Sequence, residues 1–223
     1  MSSPLPKAPR RGLADEAADL VRAAIFSGHF PPGAALREVE LAARLDVSRG
    51  SVREGLAQLE REGLVRGGWH RGTTVIDVTA QDVEEVYTLR AVLDRLAATT
   101  ARRTATPDQL TRLDQLVADM AAEIAGTADT RRLVALDIAF HDQIYAAAGN
   151  GRLTTAWQAI RSQLHLFQLR RADADYDHYR ARVVDEHREL AALLRSGDRR
   201  TLARLAEEHV HSARRSLLAG LSD

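Results

Sequence analysis

Residues 38–65 read EVELAARLDVSRGSVREGLAQLEREGLV. Leu41, Ala42 and Leu45 repeat at helical spacing, so Glu38 to Leu45 reads as a short helix with those three inward. Asp46-Val47 leaves room only for a tight turn. Ser48 is placed to cap a further helix running to about Glu62, with Val52, Leu56 and Leu59 as its buried face and Gly63 as its stop. Two helices joined this tightly are a helix-turn-helix.

The flanks fit that reading. Upstream, Leu13, Ala17, Leu20, Val21, Ala24 and Ile25 form a helical stripe that Gly28 ends, and Pro31-Pro32-Gly33 turns the chain. Downstream, Leu64–Arg66 and Thr73–Val78 read as two strands joined by GGWHRG at 67–72. Helix, helix, helix, hairpin is the order of a winged helix-turn-helix, expected over 13–78, after a tail at 1–12 expected to be disordered. From Thr79 onward every period is helical, with expected spans of 80–104, 107–125, 130–148, 152–171, 177–196 and 199–219. The expected fold is therefore mainly α. It is a winged helix followed by an all-helical bundle of about six helices over 79–223.

The composition is permissive. Of 223 residues, 45% are hydrophobic and 28% charged, enough for a buried core and a solvated surface. No apolar run approaches the roughly 20 residues that span a bilayer, and the first ten residues lack the apolar core of a signal peptide. With no cysteine there is no disulfide framework and no thiolate metal site. These features fit a cytoplasmic protein. Net charge is zero, and residues 1–75 hold 11 basic against 9 acidic side chains, so electrostatics alone does not announce a nucleic-acid partner.

Side-chain placement says more. Val52 and Leu56 point inward, so Arg49 and Arg53 project from the outer face near the helix start. That is the end that enters the major groove in helix-turn-helix proteins. An arginine fork grips a phosphate or the O6/N7 edge of guanine. Ser48 and Ser51 can bond phosphates, Gly50 lets backbone approach DNA, and Arg71-Gly72 at the hairpin tip can reach the minor groove. For two arginines alone a plain solvated helix face is the commoner explanation, until the order of elements is counted.

A second constellation lies in LDIAFHDQIY, residues 136–145. Asp137 and His141 are four apart and share one face among apolar neighbours. His187 falls on the stripe of Val183, Leu190 and Leu194, and His209 on that of Leu202, Leu205, Ala206 and Ala213. Each histidine singly reads as a hydrogen-bonded core residue. Together with Asp137 they form a ligand set for a divalent ion. Imidazole favours Zn, Ni, Cu or Fe, with Zn and Ni placed first.

The segment AIFSGHFPPGAALREVELAARLDVSRGSVREGLAQLEREGLV resembles the DNA-binding domain of the GntR family of bacterial transcription regulators. The resemblance spans about 13–78. It makes Arg49 and Arg53 the DNA-contacting arginines and Gly72 the wing glycine. Three positions depart from the pattern. Val39 stands where the family often has arginine, with Arg37 as a nearby basic residue on another helical phase. Asp46 replaces a turn glycine, and Gly55 an alanine. DIAFHDQIYAAAGNGRL, DEHRELAALLRSGD and LARLAEEHVHSA in turn resemble the FCD effector domain of the FadR branch, over roughly 80–220. Six helices match its smaller, VanR-like variant. That resemblance assigns Asp137, His141, His187 and His209 to a metal site and implies small carboxylate effectors. It also matches Arg90, in VYTLRAVLD, to a recurring arginine that can hold an effector carboxylate or pair with Asp94 one turn away. The implied protein is a homodimer on a palindromic operator, since one helix reads too few bases, and a metabolite-relieved repressor. The alternative is a metal-dependent hydrolase or lyase with an accessory DNA-binding-like domain. It lacks an evident general base, since Asp142, Glu186 and Glu189 are expected to face away from the ligands.

Overall fold

The computed structural model describes residues 12–68, 72–126, 129–196 and 198–221, and the chain divides into two compact units, Met1–Asp77 and Val78–Asp223. The first unit runs α1 (Leu13–Phe26), β1 (Ala35–Leu36), α2 (Glu38–Leu45), α3 (Arg49–Arg61), β2 (Val65–Gly68) and β3 (Gly72–Val75). The Ser48 hydroxyl caps α3 by accepting from the Ser51 amide at 3.0 Å. Asp46 closes α2 in the left-handed region at φ 51°. Glycine adopts that conformation without strain and aspartate tolerates it better than most residues, which accounts for the departure from the family's turn glycine.

Two sequence expectations fail here. Leu13 and Leu20 are half exposed, because α1 buries the narrower face of Ala17, Ala18, Val21 and Ile25. The sheet also has three strands rather than two, in the order β1-β3-β2, all antiparallel. The second strand begins at Val65 and the third ends at Val75, where Ile76 leaves the ladder. Gly55 explains itself. A Cβ at that position would stand 2.8 Å from the Ala14 carbonyl oxygen and 3.1 Å from the Ala18 nitrogen. Its absence lets α1 lie directly on α3. Arg22 then clamps the same pair, with Nε and Nη2 donating to the Glu62 carboxylate at 2.8 and 2.7 Å.

The second unit consists of α4 (Ala80–Thr104), α5 (Pro107–Ala125), α6 (Thr130–Ala148), α7 (Gly151–Ala174), α8 (Tyr176–Ser196) and α9 (Arg199–Leu221). Its helix starts are written locally. Thr79 accepts from the Asp82 amide, Thr106 and Gln109 form a reciprocal capping box, and Asp129 and Asn150 accept first-turn amides of α6 and α7. Gly149 ends α6 at φ 62°. The α7 helix is buried on several sides, with Leu164, Leu166, Phe167, Gln168 and Leu169 all inside. Its own Trp157 fills the core with Phe140, Tyr145 and Tyr87 from the neighbouring helices, and Tyr145 stacks on Trp157 at 4.6 Å. Among the described residues no helix is long and apolar enough to cross a membrane.

Candidate functional site

Inside the bundle, α4, α6, α8 and α9 bring polar side chains to one point. One turn of α6 supplies Asp137 and His141, α8 supplies His187, α9 supplies His209, and α4 supplies Arg90 and Asp94. All six are buried. Facing nitrogens of the three histidines lie within 4.8 Å of one another. Asp137 joins them through two histidines, its Oδ1 standing 3.3 Å from His187 Nε2 and 3.5 Å from His141 Nε2.

The outer nitrogens decide what the inner ones can be. His187 Nδ1 donates to the Val183 carbonyl at 2.6 Å. His209 Nδ1 lies 3.0 Å from Glu186 Oε2, and His141 Nδ1 lies 3.4 Å from Asp94 Oδ2. The Nδ1 of His187 and of His209 thus each has an oxygen to accept its N–H, which leaves the Nε2 lone pair directed inward, and His141 Nε2 is an acceptor because Arg90 Nη2 donates to it at 2.8 Å. His141 Nε2 and His209 Nε2 stand 3.3 Å apart. Asp137 Oδ1 and His187 Nε2 are buried with no hydrogen-bond partner. Burial strongly disfavours charging His141, with Arg90 adding to the effect, and both hold its pKa well below the ordinary value; burial lowers His209 likewise. Three imidazole lone pairs and one carboxylate oxygen are a donor set for a divalent transition metal. Donors arranged tetrahedrally at about 2.0–2.2 Å from an ion stand roughly 3.3–3.6 Å apart. The Asp137–His187, Asp137–His141 and His141–His209 spacings, three of the six that four donors define, fall in that range.

Asp137 is oriented by residues that the sequence did not single out. Its other oxygen, Oδ2, accepts from Gln168 Nε2 and from the Tyr179 hydroxyl, both at 2.9 Å. Arg171 Nη1 donates to Gln168 Oε1 at 3.0 Å, which fixes the amide so that its nitrogen faces Asp137. Burial alone would raise the Asp137 pKa. A positive His187 ring facing it, with His141 and Arg90 nearby, would override this and hold the carboxyl well below its usual range.

Arg90 makes the pairing with Asp94 that the sequence offered as one reading of its role. Its Nε donates to Asp94 Oδ2 at 3.2 Å, Nη2 donates to His141 Nε2 at 2.8 Å, and Nη1 is buried without a partner. Asp94 is in turn held by the Tyr145 hydroxyl at 2.6 Å.

Of the three carboxylates expected to face away, Glu189 is exposed, while Asp142 and Glu186 prove to be engaged. Asp142, expected to be exposed, is half-buried and accepts from Trp157 Nε1 at 2.7 Å and from Arg161 at 2.6 to 3.0 Å. Glu186 does not point away but reaches His209, because α9 packs beside α8. His211, by contrast, contributes nothing to the group.

In the first unit the candidate DNA-reading residues lie on one surface. Arg49 and Arg53 project from the first turns of α3, well exposed. Ser48 and Ser51 meet hydroxyl to hydroxyl at 3.0 Å. A Cβ at Gly50 would make only ordinary contact with Ser48, so packing within the chain does not demand glycine there. Arg37 stands at the N-cap position of α2 without a side-chain capping bond and pairs with Glu40 at 2.8 Å. Gly72 opens β3 at φ 74°, a conformation that favours glycine. Arg71 lies outside the described residues.

Comparison with known proteins addresses both units. The model of the FCD domain matches residues 85–212, more than half of the chain, and that of bacterial regulatory proteins of the gntR family matches residues 13–75. The chain is 28% identical over 204 residues to the probable D-xylose utilization operon transcriptional repressor of Paenarthrobacter nicotinovorans, covering 90% of this chain and 87% of that protein. It is 26% identical over 183 residues to the gluconate operon transcriptional repressor of Bacillus licheniformis, covering 80% and 74%. The crystal structure of a GntR transcriptional regulator from Rhodococcus sp. RHA1 superposes with a TM-score of 0.79 at 26% identity, covering 92% of this chain and 97% of that one. Nothing in these likenesses supports the hydrolase or lyase alternative.

Proposed function

From the premise that this chain belongs to the gntR family of bacterial regulatory proteins and carries an FCD domain, and so is a transcription regulator, we propose that it is a metabolite-relieved repressor. It binds a palindromic operator as a homodimer and senses a small carboxylate at a metal centre. The observation that carries the sensing role is the set of inward lone pairs on His141, His187 and His209, together with Asp137 Oδ1, beside a buried Arg90 whose Nη1 has no partner. The two repressors similar to this chain are named for sugar and sugar-acid operons, which supports a small oxygen-rich effector.

The residues that would hold the ion are Asp137, His141, His187 and His209, with Zn or Ni suiting the imidazoles. The ion would supply an electrophilic anchor for a carboxylate oxygen. His141 Nε2 can serve Arg90 or a metal, not both. When it serves as a ligand, Arg90 has both Nη1 and Nη2 available for a carboxylate in fork geometry. Arg90 and Asp94 sit on α4, the helix that follows the wing strand β3 in sequence. An effector that binds one arrangement of α4 better than another thereby biases the operator-bound state.

On the DNA side, Arg49 and Arg53 supply base or phosphate contacts, Ser48, Gly50 and Ser51 the backbone approach, and Arg37, Arg71 and Gly72 the flanking contacts. The test is a mobility shift on DNA fragments that the purified protein enriches from a random pool, with sugar, hydroxy and keto acids added with and without Zn or Ni. Release of DNA by an acid only when the metal is present is expected. Release that is indifferent to metal and unchanged in Arg90→Ala overturns the sensing model.

A further inference from the structure

One carboxylate on the DNA-reading surface has no place in the account so far. Glu38 is the first residue of α2, and its side chain turns toward α3. Its two oxygens accept from Arg53 Nε and Nη2, both at 3.2 Å, while Arg49 Nη2 lies 3.8 Å away. An exposed ion pair of this kind adds little to folding stability. Its consequence is orientation. A guanidinium has two usable edges, the side edge of Nε and Nη2 and the end edge of Nη1 and Nη2. Glu38 occupies the side edge. The end edge of Arg53 has no partner among the described residues, and it matches guanine O6 and N7 bidentately.

We infer that Glu38 is a specificity-determining residue. It holds Arg53 end-on toward a guanine and, as a negative charge between two arginines, discourages both from binding phosphates indiscriminately. This inference rests on the proposed DNA-reading role of α3. A fork held in place before contact loses less freedom on binding than a free arginine does. The fixed edge also fits a base pattern, whereas a loose guanidinium settles on any phosphate. Arg49 and Arg53, four apart on one helix, would repel each other without the carboxylate between them. Glu40 provides the internal comparison. It carries the same charge two residues on, but it pairs with Arg37 and touches neither arginine of α3.

The experiment uses the full chain and DNA fragments that the wild type enriches from a random-sequence pool. Affinity for an enriched fragment is divided by affinity for a scrambled fragment of the same length, at several salt concentrations. Glu38→Gln is expected to bind scrambled DNA more tightly and to lower the ratio by roughly tenfold. Glu38→Asp keeps the charge but withdraws the carboxylate by one methylene, and is expected to lower the ratio as well. Glu40→Gln, which frees Arg37 but neither arginine of α3, should lower the ratio clearly less than Glu38→Gln does. Thermal melts of each variant should match the wild type, and if Glu38→Gln does not fold then Glu38→Asp decides the matter. An unchanged ratio in Glu38→Gln and Glu38→Asp, with Arg53→Ala losing the enriched fragment, overturns the clamp and leaves the DNA-reading helix standing. Wild-type binding by Arg53→Ala overturns both.

Discussion

Asp137 Oδ1 and His187 Nε2 stand 3.3 Å apart in the interior of the helical unit, and neither has a hydrogen-bond partner. Because His187 Nδ1 already donates to Val183, the two facing atoms are both acceptors unless something positive lies between them. A proton on His187 or a metal cation satisfies them, and water alone does so poorly. Leaving such a pair unsatisfied costs several kcal/mol.

Metal content should follow the ligands. His141→Ala and His187→Ala are each expected to lose the ion and to destabilise the helical unit, whereas His211→Ala should retain it. Elemental analysis of protein purified without chelator or affinity tag measures this. Equal content in wild type and His187→Ala would reduce the cluster to hydrogen-bonded core histidines.

The oxygen of Asp137 that faces away from the histidines matters as well. Tyr179→Phe removes one of the two donors that hold Oδ2, and Gln168→Leu removes the other. Partners that orient a metal ligand typically contribute about 10- to 100-fold in affinity. Each variant should weaken Zn binding by that order in competition with a chromophoric chelator, with the bundle still folded. No change in Tyr179→Phe would mean that Asp137 is not a ligand.

The contrast between these partners and the histidines shows what a single sequence reveals. His187 and His209 were legible because each breaks an apolar stripe, and Asp137 with His141 because an i,i+4 pair on a buried face is costly without compensation. Gln168 and Arg171 were not, because α7 is buried around most of its circumference and its polar residues do not mark a face. Glu186 was assigned outward from the phase of α8 alone; only the packing of α9 shows that it reaches His209. The winged helix was legible through its caps and turn residues. The exceptions were β1, at two residues too short to carry a period, and the exposure of Leu13 and Leu20, which depends on how closely α1 approaches α3.

That approach yields a prediction about stability. Alanine is a better helix former than glycine by about 1 kcal/mol, so Gly55→Ala would help an isolated α3. In the folded unit its methyl group meets the backbone of α1 at 2.8 Å, where no flexible side chain can give way. Overpacking of this kind costs about 1–3 kcal/mol. Gly55→Ala is expected to lower the melting temperature of the DNA-binding unit and weaken operator binding. A variant at least as stable as wild type would mean that α1 has room to retreat.

Acid should act on the metal-free protein through its buried histidines and the half-buried His165. Burial, with Arg161 adding to it, pushes His165 down to about 4, and burial lowers His141 and His209 in the same direction. In the unfolded chain each takes a proton near the ordinary value of about 6.5. Between those values the unfolded state binds more protons than the folded one, so stability rises with pH across that window. The contribution is fully present above about 6.5 and is lost as the pH falls from there toward about 4. Bound metal adds to the slope, because its imidazole ligands must be neutral and protons compete with the ion. Urea unfolding at half-unit steps from pH 7.5 to about pH 4, with and without Zn, should show stability falling in both series and more steeply with Zn. In His165→Gln the metal-free slope should shrink. A flat metal-free profile across this range would mean that the buried imidazoles take up protons as readily in the folded protein as in the unfolded chain.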